Sequence, residues 1–151
     1  MADVVSKETR SRMMSGIKGA DTKPEIAIRR GLHKRGFRFR LHCQTLPGRP
    51  DLVLPKYSAV IFADGCFWHR HDCHLFKWPK SREEFWREKI NRNAVRDARN
   101  QKLLAEQGWR VARVWECAVK GKHKRSLDYI LDECAAWLRG NKTTLEIRGN
   151  E

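Results

Sequence analysis

Residues 46–54 read LPGRPDLVL and residues 59–62 read AVIF, and these two segments predict the centre of the fold. Short apolar runs bounded by Gly and Pro turns are typical of strands, and the brief connection at Pro55-Lys56 predicts that the two strands form a β-hairpin. The first strand begins at Asp51, directly after the turn. The hairpin therefore carries a carboxylate at one end of a buried strand.

Helices and further strands are predicted on both sides of the hairpin. Capping boxes at Thr22 and Glu25 and at Ser81 and Glu84 predict the starts of two helices, and Ser126 is predicted to cap a third. The alternation in residues 37–41 predicts a strand. This order predicts a mixed α/β fold in which helices flank a central sheet. The predicted elements are a helix over 22–35, a strand over 37–41, the hairpin, a helix over 81–107, a strand over 110–115 and a helix over 126–138.

One domain is expected from the length of 151 residues. It should cover residues 22–140. A basic N-terminal arm over residues 1–21 precedes it, and a frayed tail over residues 141–151 is expected to follow it.

The chain is strongly basic, with 32 Lys and Arg against 18 Asp and Glu and a formal charge of +14. Such a charge attracts polyanions, and nucleic acid is the first expectation. A membrane is not expected as a partner, because no apolar run reaches the roughly 20 residues of a membrane span and no basic amphipathic helix is set apart. The N-terminus shows no apolar signal segment, so an intracellular location is expected, where disulfides are rare.

Residues 66–73 read CFWHRHDC and concentrate soft metal ligands beside two aromatic side chains. Cys66, Cys73 and Cys117 each follow a predicted strand, so their thiolates can converge at one edge of the sheet. Three cysteines and one histidine fill a tetrahedron, which predicts a structural zinc site; the alternative is ordinary buried cysteines beside surface histidines. The candidates for the histidine ligand are His69, His71 and His74.

The aromatic residues of this loop suggest contact with DNA bases. Phe67 and Trp68 are adjacent in a polar segment, which favours stacking on bases over burial in a core. Trp86 is predicted to lie on the long helix, where burial is an equally good interpretation. The Lys and Arg residues of 7–40 and 77–102 are expected to neutralise phosphates, although many of them individually are explained as a solvated surface.

Asp51 is a candidate Mg²⁺ ligand, because a carboxylate at a strand end can hold a cation that keeps its waters or substrate phosphates. The alternative is a turn aspartate that caps nearby amides. A helix, a Pro-Asp hairpin and another helix resemble the layout of the PD-(D/E)xK nuclease core, and this favours the metal site. That core usually has a second acid and a lysine on the next strand, whereas residues 62–65 read FADG, without a lysine.

Several motifs together resemble the very short patch repair (Vsr) endonucleases, over roughly residues 6–139. The metal ligands, the aromatic pair and the Pro-Asp occur in the order and spacing of that family. The matching segments are LPGRPD at 46–51, GCFWH at 65–69, HDC at 71–73, FW at 85–86, KI at 89–90, GWRV at 108–111 and VWEC at 114–117.

The resemblance implies a mismatch endonuclease with a PD-(D/E)xK restriction-endonuclease-like core and an embedded zinc site. Enzymes of this family nick DNA 5′ to the T of a T·G mismatch, which arises when 5-methylcytosine deaminates. The implied substrate is double-stranded DNA that contains this mismatch. The resemblance also implies a functional link to a cytosine-5 DNA methyltransferase and to mismatch-repair proteins, a monomer, and a location in the cytoplasm or nucleoid.

The resemblance also implies roles for individual residues. Asp51 and the carbonyl of Ala63 would hold catalytic Mg²⁺, His69 would be the catalytic imidazole, and Glu25 and Asp97 would support the waters of the metal. From position alone, the last two are better explained as charges on helix surfaces. The implied structural zinc ligands are Cys66, His71, Cys73 and Cys117. The implied intercalating residues are Phe67, Trp68, Trp86 and Met14.

Two positions depart from the family pattern, which typically has Thr at Ala63 and often has His at Asp64. A hydroxyl is lost and a carboxylate is gained near the predicted metal. Two other functions stay open: a zinc-bearing DNA-binding module without catalysis, and a restriction-type or structure-specific nuclease of the same core. Metal-dependent cleavage separates the module from the nucleases, and the choice of substrate separates the two nucleases.

Overall fold

The computed structural model describes residues 22–150, which form a five-stranded mixed sheet with helices packed on both faces. The predicted arm over residues 1–21, with Met14, lies outside the described residues. The helices are α1 (Lys23–Lys34), α2 (Glu83–Glu106), α3 (Glu116–Val119) and α4 (Leu127–Arg139). The strands are β1 (Arg40–Leu41), β2 (Leu52–Leu54), β3 (Ala59–Asp64), β4 (Arg110–Trp115) and β5 (Thr144–Ile147). No helix within residues 22–150 is long and apolar enough to cross a bilayer.

The strands are arranged in the sheet in chain order, β1-β2-β3-β4-β5. β1, β2 and β3 are antiparallel neighbours, whereas β4 is parallel to β3 and β5 is parallel to β4. The predicted hairpin is present, with Leu52 opposite Ile61. β3 and β4 end together, at Asp64 opposite Trp115, and β2 begins at the same edge. Residues just beyond β3 and β4, and just before β2, therefore converge.

Alternating side chains give the sheet two packed faces. α1 and α4 cover one face, where Ile61 is fully buried, and Leu104 of the long helix α2 packs on Val60 of the other face. α1 and α4 also pack on each other at Gly31, where an added Cβ would lie 2.3 Å from Leu131 Cδ1. A larger residue at position 31 would force the Leu131 side chain to move, so glycine allows this close approach of the two helices. The predicted mixed α/β architecture with flanking helices is thus confirmed.

Side-chain caps begin two of the helices as the sequence predicts. Thr22 Oγ1 accepts a hydrogen bond of 3.4 Å from Glu25 N–H at the start of α1. Ser126 Oγ accepts one of 3.1 Å from Tyr129 N–H at the start of α4. The first cap fixes Glu25 in the first turn of α1.

Two local predictions differ from the structure. α2 begins at Glu83 without a side-chain cap, because Arg82 takes a left-handed conformation with φ of 53°, so the predicted capping box at Ser81 is wrong. Only Arg40–Leu41 of the predicted strand over 37–41 pairs with β2, because the chain after α1 first turns Phe37 into the core.

The C-terminal segment belongs to the sheet, so the prediction of a frayed tail over residues 141–151 is wrong for β5. Ile147 pairs with Val114 of β4 and is buried. β5 is difficult to recognise in the sequence because TLEI is short and half polar. Its pairing depends on α4, which returns the chain to the edge of β4.

Candidate active site and metal centres

Four metal-ligating side chains meet where β3 and β4 end. Cys66 follows β3, and Cys117 lies in α3 directly after β4, so the parallel pairing of the two strands brings their sulfur atoms together. The loop after β3 adds His71 and Cys73. One ligand atom from each of these four residues lies within 4.8 Å of the other three. We refer to this group as the Cys₃His cluster.

Among the three candidate histidines, the structure brings His71 to the sulfur atoms. Its Nδ1 lies 3.5 Å from Sγ of both Cys66 and Cys117. Its ring stacks on Trp115, with 4.0 Å between the ring centres and 9° between the planes, and this contact fixes its orientation. The other two histidines have other neighbours, Asp97 for His69 and His123 for His74.

Backbone N–H groups point at two of the sulfur atoms. Cys117 donates its N–H to Cys66 Sγ at 3.3 Å, and Gly149 donates its N–H to Cys117 Sγ at 3.2 Å. Burial raises the pKa of both thiols, which favours the neutral thiols when no cation is bound. A bound cation would reverse that preference, and the N–H donors would then stabilise the thiolates. Three sulfur atoms and one imidazole nitrogen are a donor set that fits zinc.

A second ligand group, the acidic cluster, consists of Glu25, His42 and Asp51, whose ligand atoms also lie within 4.8 Å of one another. Asp51 is 9% exposed, and its carboxylate accepts a hydrogen bond of 2.7 Å from Ala63 N–H. Glu25 is 1% exposed and pairs with Arg29 at 2.9 Å and with His42 at 3.2 Å. The interpretation of Glu25 as a surface charge is therefore wrong.

The Asp51 carboxyl is difficult to ionise in the absence of a cation. Burial raises its pKa to about 8; the N–H of Ala63 opposes this increase, and the negative charges of Glu25 and Asp64 add to it. Two buried carboxylates and an imidazole supply oxygen and nitrogen donors, and the negative charge of the carboxylates favours the binding of a cation. The donor set fits a divalent cation.

His69 lies between two carboxylates. Its Nδ1 is 2.5 Å from Asp97 Oδ2 on α2, and its Nε2 is 3.6 Å from Asp64 Oδ1. Burial opposes protonation of the ring, but the Asp97 hydrogen bond and the charge of Asp64 together raise the pKa of His69. His69 and Asp97 line a groove of about 530 Å³. Its other lining residues are Gly48, Arg49, Trp68, Asn93, Arg96 and Asn100. The two arginines make the groove suitable for a phosphodiester.

Asp64, at the end of β3, is buried and paired. Arg113 of the neighbouring strand β4 donates a hydrogen bond to Asp64 Oδ2, and its guanidinium lies 4.5 Å from the centre of the Phe62 ring. The other carboxylate oxygen faces His69. A partly buried arginine therefore compensates the additional carboxylate.

Four half-buried rings form an aromatic cluster made of Phe67, Trp68, Phe76 and Trp86. The Phe67 ring centre lies 5.1 Å from that of Trp68 and 5.6 Å from that of Trp86. Lys89 places its Nζ 5.6 Å from the Trp68 ring centre, which adds a cation to the cluster. Trp86 thus packs with the loop aromatics and does not join the buried cores. Since Trp68 also lines the groove, the cluster and the groove share a wall.

Sequence similarity to known proteins covers nearly the whole chain. The model of the family described as DNA mismatch endonuclease Vsr matches residues 2–75. DNA mismatch endonuclease Vsr of Escherichia coli is 45% identical over 147 residues, which are 97% of this chain and 94% of that protein. The chain belongs to the Vsr family of DNA mismatch endonucleases.

Other relatives of this Vsr-family chain are named as nicking enzymes. Type II nicking enzyme V.XorIIP of Xanthomonas oryzae pv. oryzae is 46% identical over 134 residues, 87% of this chain and 98% of that protein. Type II nicking enzyme V.NmeAIP of Neisseria meningitidis is 43% identical over 122 residues, 81% of this chain and 87% of that protein. The family expected from the motifs is confirmed, and the chain is a Vsr-type DNA nicking endonuclease.

Sequence motifs of the Vsr family did not indicate three residues of these sites. His42 reaches the acidic cluster, Arg113 pairs with Asp64, and Gly149 donates to a cysteine sulfur. Of the three, only Arg113 leaves a signal in the sequence, as a charged residue between apolar residues of β4. The other two reach their sites through strand pairing between distant segments.

Proposed function

We propose that this Vsr-family enzyme nicks double-stranded DNA 5′ to the T of a T·G mismatch produced by deamination of 5-methylcytosine. The observation that carries the proposal is the meeting of three groups at one sheet edge: the acidic cluster, the His69–Asp97 pair and the aromatic cluster. The first two suit phosphodiester chemistry, and the third suits insertion beside a weakened base pair. The name and the 45% identity of the Escherichia coli mismatch endonuclease support the same substrate.

The acidic cluster would hold Mg²⁺, with Asp51 as the carboxylate ligand and the Ala63 carbonyl beside it. When bound, the metal would stabilise negative charge on the phosphate. Glu25 is oriented by Arg29 and would accept hydrogen bonds from the waters of the metal. A helix, a hairpin that begins at Asp51 and a second helix support a PD-(D/E)xK core. In that core Asp64 would be the second acid, and β3 carries no lysine.

In this proposal, His69 is the general base that accepts a proton from the attacking water. Since Asp97 accepts the hydrogen bond from Nδ1–H, Nε2 is left to exchange a proton with water or with a phosphate oxygen in the groove. The neutral ring would accept a proton from the attacking water. Because the pKa of His69 is raised above 6.5, the neutral form grows as pH rises through neutrality, and the nicking rate should rise with it.

The aromatic cluster accounts for mismatch selection in energetic terms. A T·G pair is weaker than a Watson–Crick pair, so separating it from its neighbour costs less. Each base that stacks on an inserted ring returns about 1–3 kcal/mol, which is comparable to the cost of unstacking one step. Because Trp68 borders both the cluster and the groove, insertion at the mismatch would place a defined phosphate beside His69. Met14 of the N-terminal arm is proposed to enter from the other groove.

The Cys₃His cluster is proposed to hold structural zinc. Four protein ligands leave no open coordination position, so this metal would take no part in the reaction. Phe67, Trp68 and His69 lie on the segment between Cys66 and His71. Zinc would therefore fix the backbone that carries both the inserted aromatics and the catalytic imidazole.

The remaining parts of the proposal follow from the substrate. A cytosine-5 DNA methyltransferase makes the base whose deamination creates the mismatch, so the two enzymes are functionally linked. Mismatch-repair proteins would act on the same DNA. The enzyme would work in the cytoplasm or nucleoid, where that DNA is found, and a monomer is proposed from the family resemblance alone.

A nicking assay with three proteins tests the proposal: wild type, Asp51→Ala and His69→Ala. On a T·G duplex with Mg²⁺, the wild type should cut one strand, whereas each variant should lose about 100-fold or more in rate. Both variants should still bind the duplex in a gel shift, and Glu106→Gln, an exposed carboxylate on α2, is the matched control.

Three results would each contradict part of the proposal. A variant that cuts at close to the wild-type rate would exclude that residue from catalysis. If the wild type binds the duplex and does not cut it, the protein is a DNA-binding module without catalysis. Equal cleavage of matched duplexes would favour a restriction-type nuclease.

A further inference from the structure

His42 is fixed to the strand that carries Asp51. It follows β1 directly, and its N–H donates a hydrogen bond of 3.1 Å to the Asp51 carbonyl oxygen. Its backbone is left-handed, with φ of 50°, a conformation that residues other than glycine seldom adopt. The histidine is therefore held in a fixed place beside the carboxylate that we propose as the metal ligand.

The side chain of His42 enters the acidic cluster. Its Nε2 lies 3.2 Å from Glu25 Oε2, and one ring nitrogen lies within 4.8 Å of a carboxylate oxygen of both Glu25 and Asp51. Glu25 already has a cationic partner in Arg29, at 2.9 Å on the same helix. His42 is therefore a second basic group beside Glu25, on the side of the cluster that also holds the Asp51 carboxylate.

We propose that His42 supplies a nitrogen ligand to the catalytic metal centre, so that this centre binds Mn²⁺ more tightly relative to Mg²⁺ than a centre with only oxygen ligands would. The inference rests on the metal-dependent function proposed above. Mg²⁺ prefers oxygen ligands, whereas an imidazole favours ions further along the first transition row. The Cys₃His cluster is a separate site with its own histidine.

The most direct test is pulsed electron paramagnetic resonance of Mn²⁺ bound to the zinc-loaded protein. The wild type should show the hyperfine coupling of a directly bound nitrogen, and His42→Gln should lose it. Gln keeps an amide N–H that can still bond to Glu25, so the variant removes the nitrogen ligand and leaves that contact available. His33→Gln, an exposed histidine on α1, is the matched control and should keep the signal.

Affinity measurements on the same proteins give a second readout. His42→Gln should weaken Mn²⁺ binding about tenfold or more, and Mg²⁺ binding, measured by competition, by less than about threefold. A wild type without nitrogen coupling, a coupling retained in His42→Gln, or equal weakening for both ions would overturn the inference.

Asp51→Asn distinguishes failure of this inference from failure of the proposed function. If His42→Gln behaves like the wild type while Asp51→Asn loses the ion, only the role of His42 is wrong. If Asp51→Asn binds both ions as the wild type does, the proposed catalytic metal site itself is wrong.

Discussion

Replacing Asp51 with Asn should stabilise the protein at alkaline pH when no divalent ion has been added. Burial and the neighbouring carboxylates disfavour the charged form of Asp51, which the substitution removes. The Asn side-chain oxygen can still accept the hydrogen bond that Ala63 N–H donates to the carboxylate at 2.7 Å. The change therefore tests the cost of the charge with little change in shape.

The size of the effect follows from the pKa of Asp51, which is raised from 3.8 to about 8. Between these pH values the folded protein holds a proton that the unfolded chain has released, so the stability of the wild type falls as pH rises and levels off above about pH 8. The full shift corresponds to at most about 6 kcal/mol. About three of these pH units lie between pH 5 and pH 8, so we expect the advantage of Asp51→Asn to grow by at least about 2 kcal/mol between pH 5 and pH 9.

Urea unfolding at pH 5, 7 and 9 measures this difference, with zinc-loaded protein and no added Mg²⁺. Glu106→Gln, which removes an exposed carboxylate, should show no such trend. Adding Mg²⁺ should stabilise the wild type and leave Asp51→Asn nearly unchanged, because only the wild type binds the ion. An Asn variant that is no more stable than the wild type at pH 9 would refute the claim that burial disfavours the charged form of Asp51.

Three further predictions concern the zinc centre and the aromatic cluster. Cys117→Ser should lose about one equivalent of zinc in metal analysis and much of the folding stability, since structural zinc contributes directly to folding; unchanged zinc content would contradict its role as a ligand. Truncation after residue 140 should also weaken zinc retention against a chelator, because it removes the N–H that Gly149 donates to Cys117; unchanged retention would show that β5 does not support the site. Trp68→Ala should reduce the binding preference for T·G over C·G duplexes, whereas neutralising Lys102, an exposed lysine of α2 away from the aromatic cluster, should weaken both alike; a retained preference would place recognition elsewhere.

Local patterns predicted the parts of the molecule that depend on neighbours in sequence. The hairpin follows from two apolar runs around a short turn, and the caps at Thr22 and Ser126 follow from residues three positions apart. A metal site in the loop over residues 66–73 was predictable because cysteines and histidines are concentrated there, although spacing alone left His69, His71 and His74 as candidates for the fourth ligand.

Features that depend on distant segments were not recognisable. Glu25 looks like a surface charge until α1 is placed against β2, where it is 1% exposed. His42 reaches the acidic cluster only because β1 pairs with β2. Asp64 pairs with Arg113, which lies on β4, a strand that follows α2 in the sequence. A sequence pattern with a period of two or 3.6 residues has no information about these contacts.

Mismatch-directed nicking is tested by mapping the nick at single-nucleotide resolution on two duplexes that differ only in one base pair, T·G or C·G. With Mg²⁺, the enzyme should make one nick, on the 5′ side of the mismatched T, and the C·G duplex should stay intact over the same time. The strand that carries the G should remain uncut. A nick at the same rate in the C·G duplex, or a T·G duplex that is bound and never cut, would show that the enzyme is not a mismatch-directed nicking endonuclease.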